Sequence, residues 1–245
     1  MGGKQRMYFL TPMFEPVGGV VKVFDYVNHA IALGYEPVIC CPERYREGLP
    51  LFENRRFSNP TPESGLRYID LEQVSLGPDD LAFLTWPTHY EVVERRMSRW
   101  TQHEQVIQIV QNVRWANPTF AKGYAVRVLS RPMARIMTND VVLEAVKPYL
   151  NRSSMTEVIQ LGHDAAFFAR SRAGSLGSPL KIAYTTWKSD VGDYVASLLS
   201  GSGAEFRFKA IRQPAGWEEL RKLYHWADVF LATPFAEEGF YMPGL

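Results

Sequence analysis

Cysteine is nearly missing from this chain: it holds two among 245 residues, Cys40 and Cys41, and they are adjacent. Neighbouring cysteines make neither a disulfide framework nor a metal site, so a reducing cytoplasm is the expected setting. Charge of one sign is missing too. Lys and Arg number 27 against 26 Asp and Glu, for a net charge of +1, which excludes the strongly basic face of a nucleic-acid partner. No apolar run approaches the ~20 residues that span a bilayer. Residues 1–6 lack the apolar core of a signal peptide, and Arg6 stands where an N-myristoylation pattern needs Ser or Thr. The dinucleotide pattern G-x-G-x-x-G is also missing, which removes the main support for a dehydrogenase.

What is present is a globular composition, 46% apolar and 22% charged. Short β-rich apolar runs alternate with helical patterns, which predicts α/β layering on parallel sheets. Strands are expected at residues 7–11, 37–41, 66–69, 81–84, 106–110, 135–138 and 157–161, and irregular surface loop at 44–63. Val20, Val23, Phe24, Val27, Ala30 and Ile31 fall on one face of a first helix, and Gly34 is placed to end it. Further helices are expected at 90–99, 119–129 and 139–150. Residues 171–179 are small and apolar-poor, the composition of a linker. A second series follows, with strands at 181–185, 205–209 and 228–233 and helices at 190–199 and 217–227. The expected organisation is an N-terminal Rossmann-like domain at 1–170, the linker, and a second Rossmann-like domain at 180–245 that is incomplete.

Two segments carry candidate chemistry. Pro16, Val17, Gly18 and Gly19 lie between the first strand and first helix, where glycine lets the backbone approach a ligand and the helix start offers N–H groups. A structural turn and a ligand loop both fit. The block from Leu223 to Leu245 runs helix, buried strand, then a loop with Glu237, Glu238, Gly239 and Gly244. Ligands of open α/β sheets bind at that end of the strands, although a solvated acidic turn has the same composition. Arg95, Arg96 and Arg99, with Arg114 further on, form a basic run suited to an anionic lipid-linked acceptor or a membrane surface, or to an ordinary solvated helix face.

The C-terminal block resembles the nucleotide-sugar signature of the family 4 glycosyltransferases: a tyrosine (Tyr224), then Ala227, Asp228, Val229 and Phe230, a proline (Pro234), then Glu238, Gly239 and Phe240 and a further proline (Pro243). The Gly18–Gly19 loop, the strand and helix over 135–149, and the segment from Val158 to Phe168 are similar to other parts of that family, in its order. The resemblance implies the GT-B architecture, two Rossmann-like domains with parallel sheets facing across a cleft. It implies retaining transfer of a sugar from a nucleotide-diphosphate sugar to a glycan or lipid-linked acceptor, with no metal and no other cofactor. Glu238 would face the transferred sugar, and Gly239 and Phe240 would present N–H groups to it or to the adjoining phosphate. Gly18 and Gly19 would lie along the diphosphate. The family's Arg and Lys after the first strand of the second domain are matched here only by Lys188, with Trp187 near the arginine's place.

Many relatives carry a histidine after a central strand of the first domain, where this chain has Gln111 and Asn112; His89, after the preceding strand, is the candidate substitute, while His163 and His225 read as structural. The family's second glutamate would be the residue after Leu245, so the resemblance implies a chain cut short within its donor motif and impaired in activity. A peripheral place at the inner face of the membrane suits such an enzyme. The alternatives are a non-catalytic GT-B partner that recruits an intact glycosyltransferase, and a nucleotide-sugar epimerase of the same fold. The sugar, the nucleotide base and the oligomeric state are not encoded in any recognisable motif.

Overall fold

The computed structural model describes residues 5–13, 18–44, 66–96, 103–162, 165–169, 179–186, 189–213 and 215–233. It is α/β throughout and divides into two units, Met1–Leu161 and Gly162–Leu245. The division falls at Leu161–Gly162, ahead of the 171–179 linker that composition suggests. Residues 171–178 of that linker lie outside the described residues.

The first unit holds strands β1 (Arg6–Leu10), β2 (Glu36–Cys40), β3 (Arg67–Ile69), β4 (Leu81–Leu84), β5 (Val106–Val110), β6 (Ala134–Met137) and β7 (Thr156–Val158). They form one sheet in the order β3-β2-β1-β4-β5-β6-β7, with every neighbouring pair parallel. The strands read as unbroken apolar runs because parallel sheets are covered on both faces. Phe9 and Phe83 stack on one side, with centroids 4.6 Å apart. On the other, Tyr8, Leu10, Val38, Cys40, Ala82 and Leu84 enter a shared core. Burial of that kind contributes about 25 cal/mol per Å² of apolar surface.

Helix α1 (Gly18–Ala32) covers the sheet with Val20, Val23, Phe24, Val27 and Ala30, as the spacing predicts. Gly34 is left-handed, with φ +84°, and ends the helix as expected. Ile31 departs from the expectation. It belongs to the same arc but is 39% exposed, because the cover ends before the last turn and residues 31–34 all face solvent.

Helices α2 (His89–Arg96), α3 (Tyr124–Leu129) and α4 (Asp140–Val146) follow β4, β5 and β6. The helix expected over 119–129 is broken. Ala121, Lys122 and Gly123 take φ of 50°, 56° and 75°, so the chain makes a left-handed step before α3. Ala and Lys favour helices, and propensity therefore misreads this turn. A Cβ on Gly123 would stand 2.9 Å from the Pro118 carbonyl oxygen at an unfavourable φ. Gly123→Ala is therefore expected to destabilise the first unit by roughly 1–2 kcal/mol in urea unfolding. A loss under about 0.5 kcal/mol, the scatter of neutral surface changes, contradicts this.

The second unit holds α5 (Ala165–Phe168), β8 (Leu180–Thr185), α6 (Val191–Ser200), β9 (Phe206–Ile211), α7 (Trp217–Trp226) and β10 (Val229–Leu231). Its sheet order is β10-β8-β9, again parallel. Ala183, Ile211, Leu223 and Ala227 form its buried core. Helix α5 belongs here: Phe168 meets Trp217 and Tyr224, and His225 Nε2 lies 3.3 Å from the Phe168 carbonyl oxygen. His225 is thus structural, as expected. Asp228 of the Ala-Asp-Val-Phe stretch is also structural. Its carboxylate accepts from the Lys181 N–H at 3.0 Å while its own N–H donates to the Lys181 carbonyl, which fixes the start of β8 beside β10.

Candidate functional site

In the first unit the chain passes from β1 through α1 to β2 on one side, then crosses back to β4 on the other. The strand order reverses between β1 and β4, and the carboxyl ends of the strands at such a reversal form a crevice. Helix α1 begins there with Gly18 and Gly19. Gln111, immediately after β5, reaches across: its Nε2 donates to the Gly19 carbonyl at 3.1 Å. A Cβ on Gly19 would stand 2.5 Å from Gln111 Oε1, so the absence of a side chain admits the glutamine. Two candidates 92 residues apart in sequence are therefore in contact.

Asn112 has another task. Its Oδ1 accepts from the Arg114 N–H at 3.1 Å and caps the 3-10 turn Val113–Ala116, so this oxygen is committed to the backbone. His89 is the first residue of α2 and is 3% exposed. Burial drives its pKa down to about 3, only partly offset by a hydrogen bond to the Leu10 carbonyl. That carbonyl also accepts from Thr85 Oγ1 at 2.7 Å. His89 Nδ1 is buried with no hydrogen-bond partner among the described residues. The ring stays neutral and beneath the surface of the crevice, a poor place for a general base near pH 7.

The same end of the sheet carries a group that sequence spacing does not announce. Trp86 follows β4, and Phe120 precedes α3. The two rings meet edge to face, with centroids 5.6 Å apart. The Arg114 guanidinium lies 5.6 Å from the Trp86 ring centroid and 5.0 Å from that of Phe120. Arg95 and Arg96 turn instead to Glu72, at 3.6 and 3.1 Å. These exposed pairs contribute little to stability. The basic run is therefore divided between two settings, with Arg99 outside the described residues.

In the second unit Lys188, Glu238, Gly239 and Phe240 lie outside the described residues, as does His163. The framework that precedes them is described. Thr233 Oγ1 donates to the Thr185 carbonyl at 3.4 Å, tying the chain after β10 to the end of β8. Tyr184, near the end of β8, donates its hydroxyl to Asp193 Oδ1 at 2.8 Å. Arg212, after β9, grips Asp193 through both terminal nitrogens, at 2.8 Å each. These bonds, the arginine's first and the tyrosine's second, hold the Asp193 carboxyl below its ordinary range. Gly192 permits the close approach, since a Cβ there would stand 2.3 Å from the Tyr184 ring. No pattern in the sequence links Asp193 to Arg212, because the pair joins a helix start to the end of the next strand. Among the described residues no three of His, Cys, Asp and Glu gather as metal ligands, and no helix is long and apolar enough to cross a membrane.

No family model matches the chain, and no curated protein sequence matches it. Solved structures do. HepE from Anabaena in complex with UDP-glucose superposes with a TM-score of 0.57 at 12% identity, over 92% of this chain and 72% of that one. Sucrose-phosphate synthase from Thermosynechococcus elongatus gives 0.58 at 10% identity, over 94% and 71%. UGT89C1 from Arabidopsis thaliana complexed with UDP gives 0.51 at 11% identity, over 93% and 74%. The α/β architecture with parallel, Rossmann-like sheets is thus shared with GT-B glycosyltransferases.

Proposed function

We propose that this chain is a retaining glycosyltransferase of the family 4 type, moving a sugar from a nucleotide-diphosphate sugar to a glycan or lipid-linked acceptor. The reading is carried by a fold shared over more than nine-tenths of the chain with glycosyltransferase structures, two of them bound to UDP-glucose or UDP. The block from Leu223 to Leu245 adds the signature resemblance within the second unit. A uridine nucleotide is the donor base this reading favours, in keeping with those two ligands. Gly18 and Gly19 serve the diphosphate with backbone N–H groups at a helix start, where partial positive charge suits an anion. Lys188 adds a point charge. Glu238 orients the transferred sugar, and Gly239 and Phe240 offer N–H groups beside it. Charge developing on the leaving diphosphate is then met by preorganised donors, without a metal. Cytoplasmic work, peripheral to the inner face of the membrane, fits a lipid-linked acceptor.

The Gly19–Gln111 contact gives this proposal a specific test. In Gly19→Ala the methyl group displaces the end of a flexible glutamine side chain, so the fold is expected to persist. Its thermal midpoint should stay within a few degrees of the parent. UDP-glucose affinity, read by titration calorimetry, should weaken roughly tenfold or more. Glu238→Gln should weaken it as well. UDP-glucose that binds neither variant worse than the parent would count against the assignment. Sugar isomerised without any acceptor would point to an epimerase instead.

A further inference from the structure

Arg114, like Arg67, Arg127, Arg152 and Arg207, makes no ion pair among the described residues, and it lies over two aromatic rings at once. Arg95 and Arg96 face Glu72, Arg131 faces Glu94 and Arg212 faces Asp193. Arg114 is exposed and has no carboxylate partner among the described residues; it rests on Trp86 and Phe120, both half-buried. The corner is held from several directions. Asn112 caps the turn that carries Arg114. Asn117 Oδ1 accepts from the N–H and the hydroxyl of Thr119, each at 2.9 Å, just before Phe120. The left-handed step at Ala121, Lys122 and Gly123 follows directly after. Two of those three are not glycine, and such backbone strain concentrates at binding sites.

A guanidinium over aromatic rings is attracted by their π faces and still has N–H groups to offer. With no carboxylate to meet them among the described residues, these donors suit an anion whose oxygens match the fork, a carboxylate or a phosphate. The ring surface around them suits the C–H face of a sugar. The corner sits at the carboxyl ends of β4 and β5, the same end of the sheet as Gly19 and Gln111. We propose that Trp86, Arg114 and Phe120 form a subsite for a sugar bearing a carboxylate or phosphate group, and that this sugar belongs to the acceptor. The acceptor part of this assignment rests on the glycosyltransferase reading above; the anion selectivity does not.

The test is a set of titrations on the full-length protein, saturated with UDP to occupy any donor site. The probes are glucuronate, glucose 1-phosphate, glucose and inorganic phosphate, read by calorimetry or ligand-detected NMR. Glucuronate or glucose 1-phosphate should bind at least about tenfold tighter than glucose, and Arg114→Gln should abolish the difference. Three results would overturn the subsite. They are equal binding of glucose, a preference that survives Arg114→Gln, and inorganic phosphate binding as tightly as glucose 1-phosphate. Should Arg114→Gln not fold, the parent's arginine Nε–H resonances decide. One of them must shift with the anionic sugars and not with glucose, and its absence would equally overturn the proposal. UDP-glucose titrated separately tests the glycosyltransferase reading. If it fails while anionic sugars bind through Arg114, that reading falls and the subsite stands. The opposite outcome removes the subsite alone.

Discussion

Arg135→Met is expected to cost the first unit about 3–5 kcal/mol, a large share of the ~5–15 kcal/mol that keeps a domain folded. Arg135 lies in β6, between β5 and the edge strand β7, and is 1% exposed at a position where an apolar strand residue would be ordinary. Its Nε donates to Gln108 Oε1 at 2.9 Å, and one terminal nitrogen donates to the Met133 carbonyl at 3.2 Å and to the Ser154 hydroxyl. The other donates to the carbonyls of Val128, Leu129 and Arg131, at 3.1, 2.7 and 2.8 Å. These three lie at the C-terminal end of α3 and just past it, where a helix leaves carbonyls unpaired and carries partial negative charge. Burial lowers the guanidinium pKa to about 10, so the group remains charged at neutral pH. Dipoles, not a carboxylate, hold this cation among the described residues.

Methionine would fill much of the volume but remove the donors. The Val128 and Leu129 carbonyls keep backbone N–H groups from Arg131 and Asn151, while each buried acceptor left with no donor, such as Gln108 Oε1, costs about 1–3 kcal/mol. Arg135→Lys keeps the charge but not the fork, and should recover only part of the loss. Urea unfolding followed through the buried Trp115, which shares a core with Leu129, reads the right unit. A loss below about 1 kcal/mol for Arg135→Met would show that the network is not what holds α3 to the sheet.

The second large effect is a pH dependence. His89 has a folded pKa of about 3 because burial disfavours the imidazolium, against about 6.5 in an unfolded chain. Between these values the unfolded state binds a proton that the folded state refuses. Stability therefore rises with pH across that window and falls as pH drops, by up to about 1.4 kcal/mol per unit. Above pH ~6.5 both states are neutral and the effect is gone. His89→Gln keeps a donor without the titration. The stability difference between parent and variant should accordingly shift by roughly 3 kcal/mol between pH 7.5 and 4, in favour of the variant at low pH. Taking the difference cancels the carboxylates that titrate in both proteins. A difference that stays constant over that range would mean the imidazole takes up its proton in the folded state.

These two residues also show where sequence patterns reach and where they stop. Strands β4 and β5 lie at the predicted residues, because strands buried on both faces leave apolar runs with sharp ends. Glycine at the end of α1 is equally legible, since its left-handed conformation has a local cause. Arg135 carries no such mark: a charge inside an apolar strand is explained only by carbonyls from α3 and a serine 19 residues further on. The break at residues 121–123 hides behind good helix formers, and the short α5 joins the second unit through aromatic contacts that composition cannot foresee.

The candidate site divides in the same way. Gly19 and Gln111 were separately visible as a loop glycine and a polar residue at a strand end; their contact is a product of strand order. His89 was visible as a loop histidine, whereas its burial against the Leu10 carbonyl depends on how α2 starts. Trp86, Arg114 and Phe120 come from three separate segments and share no spacing. Glu238 and Lys188 are legible only through the family resemblance, and both lie outside the described residues.

Nucleotide-sugar-dependent transfer with retained configuration can be read from a single reaction. The full-length protein is incubated with UDP-glucose and an acceptor bearing a glucuronate or sugar-phosphate terminus, and the new anomeric proton is followed by NMR. The account predicts UDP release that requires the acceptor and a first-formed glycoside with the α configuration of the donor. A first-formed β-glycoside would contradict retention, and UDP released at the same rate with and without acceptor would contradict transfer itself.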